Sequence, residues 1–138
     1  GEMRYLVTAS PAFVARHFPD GLTAEALAKA PAVAFDQRDD MHVSFMARHF
    51  ALAPGGYPCH TVRSSEAFVA MAEQGLACCL IPELQIRQQL AQGLLLDLSP
   101  DLHLVERLYW HRWVLERGLH KQISQRLIEQ GRRALQPR

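Results

Sequence analysis

Apolar and polar positions along this chain fall into short blocks whose period changes from one block to the next. Residues 4–9 (RYLVTA) are β-prone and run into Ser10-Pro11. A serine followed by proline is a helix cap with proline at the first helical position, where its missing N–H costs nothing. Phe13, Val14 and Phe18 mark that helix, and Pro19-Asp20-Gly21 ends it. Thr23 caps a second short helix with Glu25 in its first turn, and Pro31 stops it. Residues 32–36 (AVAFD) read as a compact buried strand. A helix over 40–50 follows, with Asp39 or Asp40 as its cap and Met41, Phe45, Met46 and His49 at helical spacing. Residues 53–58 (APGGYP) form a loop.

The second half repeats the alternation. A strand over 60–63 leads through Ser64-Ser65 to a helix over 66–74 that stops at Gly75. The run 77–81 (ACCLI) is a second continuous apolar strand, ended by Pro82. A helix over 83–92, a strand over 94–98 and a loosely alternating strand over 104–115 come next. The chain closes with an amphipathic helix over 119–135, its apolar side carrying Ile123, Leu127, Ile128 and Leu135. Strands separated by helices of about ten residues imply crossover connections, hence an α/β fold with a mainly parallel sheet flanked by helices. Such sheets hold ligands beyond the carboxyl ends of their strands. Three strand-to-helix junctions carry polar side chains: Thr8 and Ser10, then residues 36–40 with Asp36, Asp39 and Asp40, then Ser64 and Ser65. All three are expected at one edge.

Composition narrows the classes without choosing among them. The 138 residues suffice for one α/β domain, or for one domain plus part of another, and 49% hydrophobic with 21% charged residues is ordinary for a folded chain. A net charge of +1 gives no field toward nucleic acid or an anionic membrane. No apolar run is long enough to span a bilayer, and the charged start lacks the core of a secretion signal, so a cytoplasmic protein without membrane contact is expected. Three cysteines, two of them adjacent at Cys78-Cys79, read as reduced core residues.

No catalytic constellation emerges. The seven histidines show no HxxxH pair and no cysteine–histidine ligand spacing, so neither a metal nor a cofactor is implied. Cys59 and His60 are strand neighbours pointing to opposite faces, which is wrong for a nucleophile and its base. Trp110 and Trp113 lack an accompanying basic stripe and are assigned to hinge and core packing. Ser64 and Ser65 offer two hydroxyls and free N–H groups to a carboxylate, against which Glu66 competes for the same helix dipole. Asp36, Asp39 and Asp40 would suit an ammonium or guanidinium group.

The order of β-prone start, Ser-Pro helix, SSEAFVAMAEQGLACCLIPE and a late strand before a terminal helix resembles the effector-binding half of LysR-type transcriptional regulators. The blocks HFPDGLTAEALAKAPAVAFDQRDDMH, PCHTVRSSEAF and LYWHRW resemble, more narrowly, the subgroup that controls arginine and lysine export, also described as an inhibitor of chromosome initiation. The resemblance implies a periplasmic-binding-protein-like effector fold and no enzymatic activity. Residues 3–102 would form the second effector subdomain, and residues 103–138 a crossover strand and helix returning to a first subdomain absent from this chain. It further implies a basic amino acid as small-molecule effector and a homo-oligomeric regulator. DNA would be bound only through an absent N-terminal domain. Ser64 and Ser65 would then hold the effector's carboxylate and Asp36, Asp39 and Asp40 its cationic end, with Thr8 and Ser10 at the same edge. The helix over 119–135 is expected to pack on a second copy or fold back on the subdomain. The alternatives are a periplasmic-type solute-binding domain and a small cysteine or zinc hydrolase.

Overall fold

In the computed structural model, residues 1–36, 39–115 and 117–135 are described. Gln37 and Arg38 of the second junction, and Glu116 and the last three residues of the 103–138 unit, lie outside them. In order the elements are β1 (Glu2–Ala9), α1 (Pro11–His17), α2 (Ala24–Leu27), β2 (Ala32–Ala34), α3 (Asp40–Phe50) and β3 (Cys59–Thr61). Then come α4 (Ser65–Glu73), β4 (Cys78–Pro82), α5 (Glu83–Ala91), β5 (Leu96–Asp97), β6 (Leu104–Arg107) and α6 (Gly118–Ala134).

Local chemistry explains the boundaries. Ser10, Thr23, Asp39 and Ser64 each cap a helix, their side-chain oxygens accepting the N–H groups of Phe13, Ala26, His42 and Ala67. Gly75 ends α4 at φ +67°, a conformation that other residues rarely adopt, and a Cβ there would stand a tight 3.1 Å from the Ser10 hydroxyl. These caps fix where each helix starts, and with it which side chains face each strand end.

The strands form one sheet in the order β3-β2-β4-β1-β5, with β6 also paired to β1. β2 is parallel to β3 and β4, whereas β1 is antiparallel to β4, β5 and β6. Among the described strands, β1 therefore runs against all the others. The α/β class holds, but the sheet is mixed: only β2 with β3 and β4 pair in parallel, while β4, β5 and β6 each meet β1 antiparallel. β5 and β6 share one edge of β1, pairing with Thr8–Ala9 and Glu2–Tyr5 respectively. The alternation expected over 104–115 stays a strand only as far as Arg107. Its ladder pairs Arg107 with Glu2, and the Leu108 N–H donates to the Gly1 carbonyl at 2.9 Å.

Both faces of the sheet are covered, which is why its strands read as continuous apolar runs. Leu6, Val33, Cys79 and Ile81 point to the face carrying Phe68 and Ala72 of α4 and Ile86 of α5. The alternate positions Ala9, Ala32 and Cys78 meet Phe13, Leu27 and Met46, and Val7 and Leu80 meet Phe45 of α3. Residues 108–115 and α6 stand apart from this core. Trp113 is 86% exposed, and Leu119, Ile123 and Leu127 of α6 are exposed as well. The tryptophans are thus not core packing within this chain; the Trp110 indole instead donates to the buried Ser124 hydroxyl at 3.1 Å. α6 folds back only in part, and its apolar stripe stays open.

Candidate functional site

The register decides which junctions meet. Because β2, β3 and β4 are parallel, the turns after them share one edge of the sheet. Antiparallel β1 brings its middle to that edge, Tyr5 lying opposite Pro82, while Thr8 lies opposite Cys79 toward the other end. Thr8 and Ser10 are therefore removed from the site. The Thr8 hydroxyl is fully buried and donates to the Cys79 carbonyl at 3.2 Å, and Ser10 spends its oxygen capping α1. One reversed strand carries both to the far edge.

At the shared edge lies a cavity of about 180 Å³ with Tyr5, Val33, Phe35, Phe68, Leu80 and Ile81 as its apolar lining. Its polar groups are the Tyr5 phenol of β1 and side chains from three junctions: Asp39 and His42 from β2–α3, Ser65 from β3–α4, and Gln85 from β4–α5. Small-molecule sites commonly enclose about 300–1,000 Å³, so this volume suits one wall of a site better than a whole one.

Asp39 holds the second junction together. One carboxylate oxygen accepts the Phe35 N–H at 2.8 Å and the other the His42 N–H at 3.2 Å. Its charge faces the cavity on a carboxylate whose position is fixed twice over. Asp40 starts the next turn and lines a separate groove with Arg48, His49 and Glu106. Asp36 lies at the end of β2 and faces Arg63 at 3.8 Å, a mostly exposed guanidinium that neutralises little in water. Of the three aspartates, Asp39 alone lines the cavity.

Ser64 and Ser65 also divide. The Ser64 hydroxyl accepts the Ala67 N–H and donates to the Glu66 carboxylate at 3.0 Å. The Glu66 carboxyl is held below its ordinary range, first by its own backbone N–H, then by the Ser64 hydroxyl, with Ser65 adding to it. The amino end of α4 thus already has an anion on it, from its own first turn. Ser65 lines the cavity, and its carbonyl accepts the Gln85 side-chain N–H at 2.9 Å, tying the starts of α4 and α5 together.

Tyr5, His42 and Gln85 went unnoticed in the sequence. For His42 a signal existed: residues 42, 45, 46 and 49 have helical spacing, and the structure buries His42, Phe45 and Met46 while leaving Met41 and His49 exposed. Burial lowers the proton affinity of the His42 imidazole, and the Asp39 charge opposes this more weakly. Burial and neighbouring anions raise the Tyr5 phenol. Both side chains are therefore neutral near pH 7.

Burial pushes the Cys78 thiol up to about 12 and the Cys79 thiol still further, and the exposed Cys59 thiol is raised as well. Cys59 is not the core residue expected from its composition class. Among the described residues no helix is long and apolar enough to cross a membrane.

Comparison with known proteins identifies the family and the fold. The LysR substrate binding domain model matches residues 1–135. The HTH-type transcriptional regulator ArgP of Aeromonas salmonicida is 89% identical over 99% of this chain and 46% of its own length. That of Sodalis glossinidius is 51% identical over 98% of this chain and 46% of its own length. The crystal structure of ArgP from Mycobacterium tuberculosis superposes with a TM-score of 0.88 at 35% identity, over 100% of this chain and 47% of that one. Full-length LysG from Corynebacterium glutamicum with bound effector Arg gives 0.86 at 25% identity, over 99% and 46%. The chain spans less than half the length of these curated relatives. By sequence and by fold alike, the chain belongs to the LysR substrate binding domain family, over a stretch it shares with curated transcriptional regulators.

Proposed function

We propose that the cavity at the shared strand edge is one wall of an effector site for a basic amino acid. The observation that carries this reading is the meeting, in one apolar cavity, of a doubly anchored carboxylate from the β2–α3 junction with Ser65 from the β3–α4 junction. Asp39 faces the ligand's ammonium or guanidinium group, and Ser65 with the amino end of α4 faces its carboxylate. The exposed Glu66 side chain swings off the helix end as the ligand's carboxylate takes its place. Asp36 and Asp40 contribute field rather than contact. Arginine, the effector bound in the Corynebacterium LysG structure, supports the same chemical class for this chain.

Residues 3–102 act in this reading as one effector subdomain, and residues 103–138 lead to another that supplies the facing wall. The open apolar stripe on α6 is covered in a complete regulator, by the remainder of the protein or by a second copy. DNA contact and cytoplasmic location are likewise properties of the complete regulator. Signalling follows by population shift: the ligand favours whichever arrangement of the two walls binds it better. A single charged contact of about 1.5–3 kcal/mol moves such an equilibrium roughly 10- to 150-fold. A full switch needs about 10⁴-fold, so more than one contact must differ between the two arrangements.

Calorimetric titration of a full-length regulator carrying this chain tests the reading. Lysine or arginine should bind measurably and leucine far more weakly. Equal responses to all three, or none to the basic pair, would remove it.

A further inference from the structure

The cavity contains one polar group that the packing leaves unexplained. His42 is 2% exposed and lines the cavity, yet neither ring nitrogen has a hydrogen-bond partner among the described residues. Among the described residues the ring has a ring contact, with Tyr57, centroid to centroid 5.7 Å, and no polar one. A buried polar group without a partner is unfavourable, and a leucine or phenylalanine would fill the same space without that cost. Something other than packing accounts for an imidazole at this position.

Resting on the basic-amino-acid reading of the cavity, we propose that His42 accepts a hydrogen bond from the cationic end of the ligand. It thereby sets the preference for a charged side chain over an apolar one of the same length. The geometry divides the work between two neighbours. Asp39 supplies negative charge, but each of its oxygens already accepts a backbone N–H. An ammonium brings three donors and a guanidinium five, more than those occupied oxygens readily take. A neutral imidazole in the same cavity lining adds an acceptor nitrogen, and burial keeps it neutral against the weaker pull of the Asp39 charge. A ligand ending in a methyl group leaves that nitrogen unpaired, as in the free cavity, whereas a cationic one gains a hydrogen bond there, and the difference is the selectivity.

Norleucine, which is lysine without its ammonium group, is the discriminating probe. Titrations of the full-length regulator would compare lysine and norleucine on wild type, His42→Phe and His42→Gln. His42→Phe should cut the lysine-to-norleucine preference on the order of 10-fold without weakening norleucine. His42→Gln, which keeps an acceptor, should recover part of that preference. A folded His42→Phe protein with the wild-type preference overturns the inference and leaves the cavity reading standing. A wild type that binds neither lysine nor arginine removes the cavity reading, and the His42 role with it. Ring-nitrogen NMR of the wild-type protein gives a second test that needs no variant. Saturation with lysine should shift the His42 ring-nitrogen resonances and norleucine should not, whereas no shift under lysine saturation overturns the role.

Discussion

Replacing Asp39 separates its two duties, because alanine and asparagine remove different parts of them. Asp39→Ala deletes both the cap on α3 and the bond to the Phe35 N–H. Loss of a helix cap costs about 1 kcal/mol. The Phe35 bond adds at most about 0.5–1.5 kcal/mol, toward the lower end because Phe35 is 45% exposed and water can reach the freed N–H. A total of about 1–2 kcal/mol should lower Tm by roughly 3–8 °C for a domain of this size. Asp39→Asn keeps one acceptor oxygen, and asparagine caps helices about as well as aspartate, so its Tm should fall by less than half as much. The charge, however, is gone from both variants. Affinity for arginine or lysine should drop by about 10-fold or more in Asp39→Asn, the value of one charge-assisted hydrogen bond. Thermal unfolding and calorimetric titration on the same samples give both readings. An Asp39→Asn protein that binds arginine like wild type would reduce Asp39 to a cap. An Asp39→Ala protein with unchanged Tm would refute the junction reasoning itself.

Three further outcomes follow from neighbouring groups. Glu66→Gln removes the anion resident at the start of α4, so it should tighten binding of a carboxylate ligand several-fold in a titration; weaker binding would mean that Glu66 helps the ligand rather than competing with it. The folded His42 ring takes up a proton less readily than the unfolded one, so acid favours the unfolded state, and stability should decline as pH falls below about 6.5 toward the lowered folded value. His17 shifts in the same direction, so the diagnostic quantity in denaturant titrations is the shallower pH slope of His42→Gln relative to wild type. With Cys59 exposed and Cys78 and Cys79 buried, a thiol reagent should label one cysteine of the native chain and all three after denaturation; rapid labelling of a second native thiol would contradict the core assignment.

The helix caps were plainly written in the sequence. Ser10, Thr23, Asp39 and Ser64 each stand just before an apolar-periodic run, and a side-chain oxygen at that place has an orphan N–H to accept. The continuous runs around Val33 and Ile81 announced strands buried on both faces. What the pattern could not carry was direction. A β-prone segment has the same propensity whichever way it runs, so nothing in RYLVTA told that β1 opposes its neighbours, and Thr8 and Ser10 went to the wrong edge. Distinguishing Asp39 from Asp36 and Asp40 needed helix phase as well as sequence position, since adjacent residues on a first turn face different grooves.

A crystal structure of the complete regulator with arginine would test the assignment of this site most directly. Arginine should lie in the cavity lined by Phe35 and Phe68, its guanidinium against Asp39 and His42 and its carboxylate toward Ser65, with Glu66 displaced from the start of α4. Arginine seated in the groove of Asp40, Arg48 and Glu106, or in the Asp39 cavity with its carboxylate on the His42 side, would contradict it.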